Sequence, residues 1–315
     1  MISLDDLRLM RALHDTGSLA ASARLLDLTP PALTVRLKKL EDRLGVHLAV
    51  RGSRGVSLTD EGRRLYEEAA ELLDRVESLP ERVSGEAGAM TGHLRVVAPF
   101  GFGREYMAPI IRDLRVQHPS LTLALDLSDS PLRDAAGHDV VIHIGAIRDS
   151  SWIGHLLAPN KRILCASPKF VRALKHRPVD PADLQQMDCL CLRENDDDIT
   201  RWRFAPATAT ARAPTQRPVT VRVGGPLSSN DGEVIRRWAL EGLGIMARSE
   251  WDVAPLLDSG QLVQLLPAWE LEPAPILALV PSRKGTSARL RGLIEAAKAA
   301  LNPPPWHRAR GGRSR

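Results

Sequence analysis

Leucines recur at every third or fourth position between residues 29 and 44, and this spacing predicts one amphipathic helix. The apolar stripe consists of Leu33, Leu37, Leu40 and Leu44. Thr29 suits the N-cap position, because its hydroxyl can accept from first-turn N–H groups. Pro30 and Pro31 fit the first turn, where their missing N–H donors cost nothing. Such a stripe must be buried on one side.

The opposite side of this predicted helix is basic and carries short side chains. It comprises Pro31, Val35, Lys38 and Lys39, with Thr34 and Arg36 on its flanks. Short side chains let a helix backbone approach the base pairs of a DNA major groove, while cations meet phosphates. The same pattern also fits a surface helix of any α-rich protein, so the neighbouring segments must decide between the two interpretations.

The residues before this helix have helix–turn–helix spacing. A first helix is predicted from the apolar repeat Leu4, Leu7, Met10 and Leu13. Gly17 ends it, and Ser18 is a suitable N-cap for an alanine-rich second helix, LAASARLLDL, whose small residues permit close crossing of another helix. The helix–turn–helix is therefore expected at about residues 19–38, with the helix after Thr29 exposed to read a groove.

A small hairpin, or wing, is predicted after Gly45. Apolar residues alternate at Val46, Leu48 and Val50 and again at Val56 and Leu58. The glycine-flanked turn of residues 52–55 joins the two strands. Arg51 and Arg54 lie near its tip, where an arginine can enter the narrow, electronegative minor groove. The alternative is a solvated hairpin tip.

A long amphipathic helix is predicted from Thr59 to about Val83. Its apolar seam is Leu65, Ala69, Leu72, Leu73, Val76 and Leu79. A lone helix of this length needs a partner for such a seam, and the same helix of a second copy is the economical choice. A two-fold homodimer would then present two reading helices to a palindromic DNA site.

The local charge of this segment supports the DNA-binding interpretation better than the net charge of the chain does. The net charge of the 315-residue chain is +5, which alone is weak evidence for a polyanion partner. Between Thr34 and Arg54, however, six basic residues face only two acidic ones, Glu41 and Asp42. The basic residues are Arg36, Lys38, Lys39, Arg43, Arg51 and Arg54. This local concentration is the electrostatic footprint expected for DNA.

The length and composition predict about two domains of a soluble protein. No apolar run is long enough to span a bilayer, and the start MISLDDLRLM lacks the basic and apolar blocks of a signal peptide. We therefore expect a cytoplasmic protein without a membrane partner. Three cysteines do not make a disulfide framework, and Cys189 and Cys191 fit a strand with both thiols on one face better than a metal site.

The first ninety residues resemble the winged helix–turn–helix domain of the LysR-type transcriptional regulators. The resemblance is carried without a gap by GSLAASARLLDLTPPALTVRLKKLEDRLGVHLAVRGSRGVSLTDEG. It implies DNA contacts at Pro30, Pro31, Thr34, Val35 and Arg54. With the cap and the basic positions added, the predicted DNA-binding residues are Thr29, Pro30, Pro31, Thr34, Val35, Arg36, Lys38, Arg51 and Arg54.

Two positions depart from the pattern of that family. Its members commonly carry Gln at the position of Pro30 and Arg at that of Val35, and both are base-edge readers. Both are apolar here, and Arg36 lies one residue on, about 100° around the helix. The hypothesis is weaker hydrogen-bonded readout and more reliance on the wing, thymine methyl groups and DNA shape.

Strand and helix signals alternate after a hinge-like stretch, PERVSGEAGAMTG. This order predicts an α/β fold with a mostly parallel sheet. The resemblance continues here to the LysR effector domain, which has the two-lobed fold of periplasmic solute-binding proteins. It implies one lobe at 92–163 plus 269–302 and another at 164–268. The expected domains are thus 1–59 (winged helix–turn–helix), 60–91 (linker helix), 92–302 (effector domain) and 303–315 (disordered tail).

Three loops are candidate effector-binding segments, because ligands of such folds lie beyond the carboxyl ends of strands and near helix N-termini. The predicted effector-binding residues are Pro99, Phe100, Gly101, Phe102, Asp149, Ser150, Ser151, Ser229 and Asn230. Many relatives have a hydroxyl residue where Gly101 stands, so one ligand hydrogen bond is missing. Asn230 could instead cap its helix, the two serines could serve turn chemistry, and Arg104 fits a solvated or salt-bridged residue better than a carboxylate clamp.

The sequence predicts a DNA-binding transcription regulator controlled by a small anionic metabolite, with a homodimer or a tetramer of two dimers as the assembly. A cytoplasmic solute-binding protein, or a regulator without a small-molecule effector, is the alternative. An enzyme is not expected, because no triad, phosphate loop or zinc spacing is present, and no cofactor or metal is predicted.

Overall fold

The computed structural model describes residues 2–52, 55–77, 79, 90–147, 152–194, 200–207, 217–281 and 287–307. The chain divides into two compact units, residues 1–92 and 93–315. Among the described residues, no helix is long and apolar enough to cross a membrane. Each unit is built around its own apolar core.

Three helices form the head of the first unit: α1 (Leu4–Thr16), α2 (Leu19–Leu25) and α3 (Pro30–Leu44). Ser3, Ser18 and Thr29 cap their N-termini through side-chain oxygens, as the sequence predicts for Ser18 and Thr29. The small residue Ser22 lies fully buried where α2 crosses α1, and its hydroxyl donates to the carbonyl of Ala12 at 3.0 Å. The crossing therefore depends on short side chains.

The predicted wing is present as the antiparallel pair β1 (Ala49–Gly52) and β2 (Gly55–Leu58). The helix α4 (Asp60–Glu77) follows it directly. Gly62 in its first turn is required by close packing, because a Cβ there would lie 1.9 Å from the carbonyl oxygen of Leu48. Most of residues 78–89, including the predicted helix end near Val83, lies outside the described part.

One five-stranded sheet of the second unit has the order β4-β3-β5-β15-β6. Its strands are β3 (Gly92–Pro99), β4 (Leu121–Ser128), β5 (Val140–Ile144), β6 (Trp152–Ala158) and β15 (Ile276–Pro281). Helical turns over residues 100–107 lead into α5 (Ala108–Gln117), and α9 (Ala288–Leu301) ends the lobe. Strand β5 is buried throughout, because the sheet is covered on both faces.

The second five-stranded sheet has the order β11-β8-β12-β7-β13. Its strands are β7 (Arg162–Ala166), β8 (Cys189–Leu192), β11 (Ser228–Ser229), β12 (Ile245–Ser249) and β13 (Val263–Gln264). The helices of this lobe are α6 (Pro168–Ala173), a 3₁₀ turn (Pro181–Gln186), α7 (Gly232–Glu241) and α8 (Glu250–Asp258). A small sheet of β9 (Arg201–Pro206), β10 (Val219–Arg222) and β14 (Trp269–Leu271) packs beside it.

Both large sheets are mixed, so the prediction of a mostly parallel sheet was wrong. Strand β5 runs parallel to β3, and β12 runs parallel to β8. The strands next to the connections between the lobes run the other way: β15 pairs antiparallel with β5, and β7 with β12. Strands that return from one lobe to the other reverse direction, which the alternation of elements along the sequence does not reveal.

The lobes meet at two connections, residues 159–161 and 272–275. Strand β7 belongs wholly to the second sheet and β14 to the small sheet, so the predicted divisions after 163 and 268 are shifted by a few residues. Asn160 joins the connections, because its amide donates to the carbonyl of Ala274 at 2.8 Å. Asn160 also donates to the hydroxyl of Ser249, which begins the α8 region. The backbone N–H of Ala274 in turn donates to the carbonyl of Asn160, and Lys161 forms an antiparallel bridge with Pro273, so several contacts hold the two connections together.

The start of the predicted disordered tail is packed, which corrects that expectation for residues 303–307. Trp306 is 3% exposed and its ring lies edge-on to Tyr106, with centroids 5.4 Å apart. His307 Nε2 lies 3.1 Å from a carboxylate oxygen of Glu250 in the second lobe. One large aromatic side chain is enough to anchor the segment. Residues 308–315 lie outside the described part.

Candidate nucleic-acid interface and effector cleft

The helix α3 is buried along one stripe and open at its N-terminal tip. Leu33, Leu37 and Leu40 lie in the core of the first unit, whereas Leu44 is 37% exposed, so the predicted stripe ends one turn early. On the other side, Val35 is 53% exposed, and Pro30 and Pro31 are exposed. The tip therefore offers short, accessible side chains on a rigid support.

Arg36 does not lie on that open face. Its guanidinium contacts the carboxylates of Asp5 at 3.0 Å and Asp6 at 3.5 Å, both on α1. Arg43 reaches the same Asp6 at 2.8 Å. The prediction that Arg36 contacts DNA is therefore not supported, because the side chain fastens α3 to the start of α1.

Asp6 is the shared partner of Arg36 and Arg43 in these ion pairs, and the sequence did not single it out. It lies 3% exposed and also accepts from the backbone N–H of Ser3 at 2.9 Å, completing a capping box. Burial acts to raise the pKa of Asp6, but hydrogen bonds with Ser3 and Arg43 outweigh it and hold the pKa below its usual value. One carboxylate thus caps α1 and fixes α3.

A groove of about 590 Å³ separates α3 from the wing. Thr34 and Lys38 line its helix side, and Ala49 and Val56 line its wing side. Glu41 lies at the bottom, where its carboxylate accepts from the backbone N–H of Leu48 at 2.7 Å. Because Glu41 is bound to the backbone of Leu48, the exposed Lys38 and the exposed Asp42 are the other formally charged residues that line the groove.

Two glycines fix where the wing stands. The backbone N–H of Val56 donates to the carbonyl of Gly17 at 2.8 Å. A Cβ at Gly55, whose φ is +128°, would lie 2.5 Å from that same carbonyl oxygen. The wing base is thus tied to the end of α1. Arg54 and the side chain of Arg51, predicted to contact DNA, lie outside the described residues.

The seam of α4 is divided between two surfaces. Ala69 and Leu73 are fully buried and pack against Leu7 of α1. Leu72 is 45% exposed and Leu79 is 47% exposed. Part of the predicted seam therefore closes the core of the same chain, and the remaining leucines leave an apolar strip in the isolated chain.

The first candidate loop of the effector unit is a helical turn, Phe100–Phe102. Phe102 is fully buried, and its ring lies edge-on to Trp251 with centroids 5.5 Å apart. A Cβ at Gly101 would lie 3.0 Å from the tip of the Trp251 ring. The indole therefore fills the space beside Gly101, and Phe102 serves the core rather than an open site, which corrects its predicted role.

The second candidate loop, Arg148–Ser151, lies outside the described residues, so Asp149, Ser150 and Ser151 remain predictions. The third loop is described, and Asn230 does not cap its helix, whereas its predicted contact with an effector remains a prediction. The side-chain amide of Asn230 donates to Asp129 of the other lobe at 2.6 Å. The cap of α7 is Asp231, which accepts from the N–H of Glu233, while the Ser229 hydroxyl accepts from the N–H of Asp231.

Arg104 is salt-bridged, as predicted. Its guanidinium lies 3.2 Å from Glu233 and 3.9 Å from Asp231, at the start of α7 in the other lobe. Together with the contact of Asn230 and Asp129, these pairs join the lobes across the cleft. The contacts are exposed or partly exposed, so each contributes little to stability and can be broken at low cost.

These geometries were compared with known proteins. Residues 4–63 match the family described as "Bacterial regulatory helix-turn-helix protein, lysR family", and residues 87–302 match "LysR substrate binding domain". The chain belongs to the LysR family. It is 37% identical over 291 residues to the HTH-type transcriptional activator TtdR of Escherichia coli K12, covering 92% of this chain and 91% of that protein.

Two further relatives agree with this membership. The HTH-type transcriptional regulator DmlR of Escherichia coli K12 is 37% identical over 294 residues, covering 93% of this chain and 92% of that protein. The full-length structure of the Vibrio cholerae virulence activator AphB is 26% identical and covers 95% of this chain and 99% of that one, with a TM-score of 0.54. This LysR-family chain is a DNA-binding transcription regulator and not an enzyme, as predicted from its sequence.

Sequence reasoning missed a cluster of charged residues at the cleft of this regulator. The guanidinium of Arg248 is 6% exposed and lies 2.8 Å from Asp252. Asp252 also accepts from Arg236 at 2.6 Å, and Glu194 lies 3.9 Å from Arg248. The run Arg248-Ser249-Glu250-Trp251-Asp252 carried a signal, because two charges four residues apart follow directly on an apolar strand.

The pKa values within this cluster follow from burial and pairing. Burial opposes the charge of Arg248, but Asp252 and Glu194 raise its pKa above the usual value. Partial burial raises the pKa of Glu194, against the opposing effect of Arg248 and then Arg162. The guanidinium is therefore permanently charged, and the Glu194 carboxylate is the weakly held member.

The cysteines are structural, as predicted from their alternation. Cys189 and Cys191 lie in the same apolar cluster of the second lobe, whereas Leu190 between them lies in the neighbouring one. Burial raises the pKa of both Cys165 and Cys189 to about 12 and also raises that of Cys191. Among the described residues, no group of ligands suited to a metal ion is present.

Proposed function

We propose that this regulator acts as a homodimer that reads pseudo-palindromic promoter DNA through the open tip of α3. The observation that carries the proposal is the pairing of exposed Pro30, Pro31 and Val35 with a fully buried leucine stripe on the same helix. Thr34 and Lys38 extend this surface into the groove beside the wing. Lys38 would meet phosphate, and Thr29 would meet the backbone at the helix start.

The wing would contact the adjacent minor groove through Arg51 and Arg54. Its base is held by the end of α1, so the position of the hairpin relative to α3 is fixed before DNA arrives. Preorganisation of this kind lowers the entropic cost of binding. A protein that binds chromosomal promoters would act in the cytoplasm, where that DNA lies.

Base readout by α3 would rely on apolar contact and shape. Val35 and the two prolines offer methyl and methylene groups rather than hydrogen-bond donors, and such groups suit the thymine methyl. A binding-site selection that returned strict G·C preference under the helix would contradict this part of the proposal.

The exposed strip on α4 would form the dimer contact. The exposed Leu72 and the half-buried Val76 lie four positions apart on α4, which places them on one face of the helix, and the exposed Leu79 follows shortly after its end. Two such strips can bury each other in a two-fold arrangement, and two dimers can assemble into a tetramer. Charged substitution of Leu72 should therefore lower the oligomeric state measured by sedimentation.

A small anion would bind between the effector lobes and shift their closure. Support comes from the exposed inter-lobe pairs at Arg104 and Asn230, which closure or opening would rearrange, and from the connections at Asn160, about which the lobes would move. Closure would change how subunits pack and how the DNA bends. The ligand must bind the open and closed states unequally, because otherwise nothing shifts.

The DNA part is tested by affinity for the upstream intergenic region of the regulator's own gene. Lys38→Ala should weaken binding by about tenfold or more and reduce the salt dependence by about two ions per dimer, one from each subunit. Lys175→Ala removes an equally exposed lysine from the effector unit and is the control. Equal loss in both variants, or no binding by the natural protein, would refute the proposed interface.

The effector part is tested by a thermal-shift screen of small organic acids on the full chain. A ligand should raise the midpoint of unfolding and change the promoter affinity at the same concentration. Failure of a broad panel to do either would favour the alternative, a regulator without a small-molecule effector.

A further inference from the structure

Three parallel strands of the second lobe end side by side at the cleft. Strands β8, β11 and β12 are neighbours, with β8 paired in parallel to both others. Their carboxyl ends place Glu194, Asn230 and Arg248 at one edge of the sheet. In open α/β sheets this edge is where ligands bind. The buried charge at that edge is therefore a candidate part of the effector site.

The guanidinium of Arg248 is unevenly satisfied. Its Nε and Nη2 atoms each lie 2.8 Å from the same oxygen, Oδ2 of Asp252. Among the described residues, its Nη1 faces only Glu194, at 3.9 Å, which is too long for a hydrogen bond. A guanidinium carries five N–H donors, so Nη1 keeps donors for a further acceptor. One edge of this cation is thus poised for another acceptor.

The start of α7 lies directly against this cation. A Cβ added at Gly232 would lie 2.2 Å from Nη2 and 2.4 Å from Nη1 of Arg248, so only glycine fits. Asp231 and Glu233, on either side of Gly232, hold Arg104 of the other lobe. Whatever contacts Arg248 at Nη1 therefore lies beside the residues that join the lobes.

We propose that Nη1 of Arg248 binds a carboxylate group of the effector. In the absence of the ligand, the Glu194 carboxylate fills the position beside Nη1, and the ligand displaces it. The proposal rests on the proposed function, since it assumes that an effector enters the cleft. Asp252 stays in place, because it also holds Arg236 and is itself buried. Glu194 is free to yield, because its side chain is 31% exposed and reaches no closer than 3.9 Å.

The exchange conserves charge at a buried site. Two arginines, Arg236 and Arg248, face two carboxylates, Asp252 and Glu194, so the cluster is neutral. A ligand carboxylate that replaces Glu194 keeps that balance, and a guanidinium edge matches a carboxylate in shape. An uncharged ligand in the same position would leave one arginine without a carboxylate partner. The site would therefore select ligands that carry a carboxylate.

A purely structural ion-pair network is the competing explanation, and it makes a different prediction. If Glu194 only stabilises the fold, its removal costs stability and no added solute restores it selectively. If Glu194 holds the place of a ligand, its removal opens a site that a free carboxylate can fill.

The test is chemical rescue of the full-length Glu194→Ala variant, with acetate as the probe and acetamide as its uncharged analogue of similar size. Midpoints of thermal unfolding are measured at pH 7.5 with sodium acetate, with acetamide and with sodium chloride at equal ionic strength. Acetate should raise the midpoint of Glu194→Ala by about 2–4 °C more than chloride does. The natural protein should show no such preference, because its own carboxylate fills the place.

Glu233→Ala is the matched control, because it removes a carboxylate of similar exposure from Arg104, a partner that is itself exposed and not buried like Arg248. Equal stabilisation of Glu194→Ala by acetate, acetamide and chloride would overturn the proposal. The same acetate preference in Glu233→Ala would also overturn it. Glu194→Gln serves if the alanine variant does not fold; a neutral amide is easier to displace than a carboxylate, so a smaller shift in the same direction is expected.

Promoter binding by the natural protein separates the two levels of the account. If the natural protein binds its promoter and acetate gives no selective rescue, only the assignment of Arg248 and Glu194 fails. If the natural protein binds no promoter fragment, the proposed function fails whatever acetate does.

Discussion

The reading surface of α3 and the floor of the effector cleft use opposite designs. On α3 the functional side chains lie close together on one helix, Pro30, Pro31 and Val35 among them are short and exposed, and a leucine stripe packs behind them. At the cleft floor the central residues, Arg248 and Asp252, are buried, and Glu194 comes from a different strand end. A polymer that is met from outside needs an open ridge, whereas a small ligand must be surrounded.

The difference also concerns how each site responds to change. An exposed side chain on α3 can be replaced with little effect on the fold, so stability and binding are separable there. A side chain at the cleft floor has both roles, because removal of one charge leaves another buried and unpaired. Matched substitutions on α3 and at the cleft floor test whether stability and binding are separable at the first site and coupled at the second.

The largest effect is expected within α3 itself. Leu33→Ala should destabilise the first unit by about 2–5 kcal/mol, because it empties a fully buried position. Val35→Ala, two positions on and 53% exposed, should change stability by less than about 0.5 kcal/mol while altering promoter affinity. Denaturant unfolding measured beside DNA binding checks this. Similar losses of stability in both variants would mean that Val35 is not on an open face.

The second-largest effect on stability is expected where glycine packs closely against the cleft floor. Gly232→Ala should destabilise the effector unit by about 1–3 kcal/mol, because the new methyl group meets the buried Arg248 guanidinium. Gly224→Ala is the control, since nothing lies within 4 Å of its Cβ position. Thermal unfolding of the two variants makes the comparison. If Gly232→Ala is as stable as the control, Arg248 does not pack on α7.

A smaller effect is expected from the carboxylate that fastens α3. Asp6→Asn should cost the first unit about 1–2 kcal/mol at neutral pH. Because the pKa of Asp6 lies below its usual 3.8 in the folded chain, its contribution is complete above that value. It is lost as pH falls through the lower folded value. The natural protein should therefore lose more stability than Asp6→Asn between pH 5 and pH 2, as acid unfolding would record.

The smallest effect concerns the cysteines. With pKa values raised to about 12 for Cys165 and Cys189, the thiols stay protonated and buried at pH 8. A thiol reagent should modify none of the three in the folded protein within minutes and all of them in denaturant. Rapid modification of one cysteine without unfolding would show that the second lobe opens readily.

The sequence predicted the first unit well because its signals are local. Leucine spacing, caps and the glycine-flanked turn each lie within a few residues, and they gave α3 and the wing. The ion pairs of Arg36 were not predicted, because they depend on how Asp5 and Asp6 of α1, thirty residues away, dock against α3. Rotation around one helix cannot reveal a partner on another.

The cleft was less predictable, because its contacts join distant segments. Glu194 and Arg248 are 54 positions apart, and Asn230 meets Asp129 across the lobes. Composition also misled at the end of the chain, where prolines and arginines indicated disorder. There Trp306 supplies the packing that its neighbours lack. Alternation of strands and helices located the strand ends but could not say which side chains meet there.

The most direct measurement of the central claim is DNA cleavage by an iron chelate attached to a cysteine introduced at Lys39, which is exposed on α3 beside the proposed contacts. The buried native thiols should not take up the reagent. Val116→Cys, 72% exposed in the effector unit, is the control. The account predicts cleavage of bound promoter DNA at two symmetric positions from residue 39 and far weaker cleavage from residue 116. Bound DNA left intact by the chelate at residue 39, or cut equally from both positions, would contradict it.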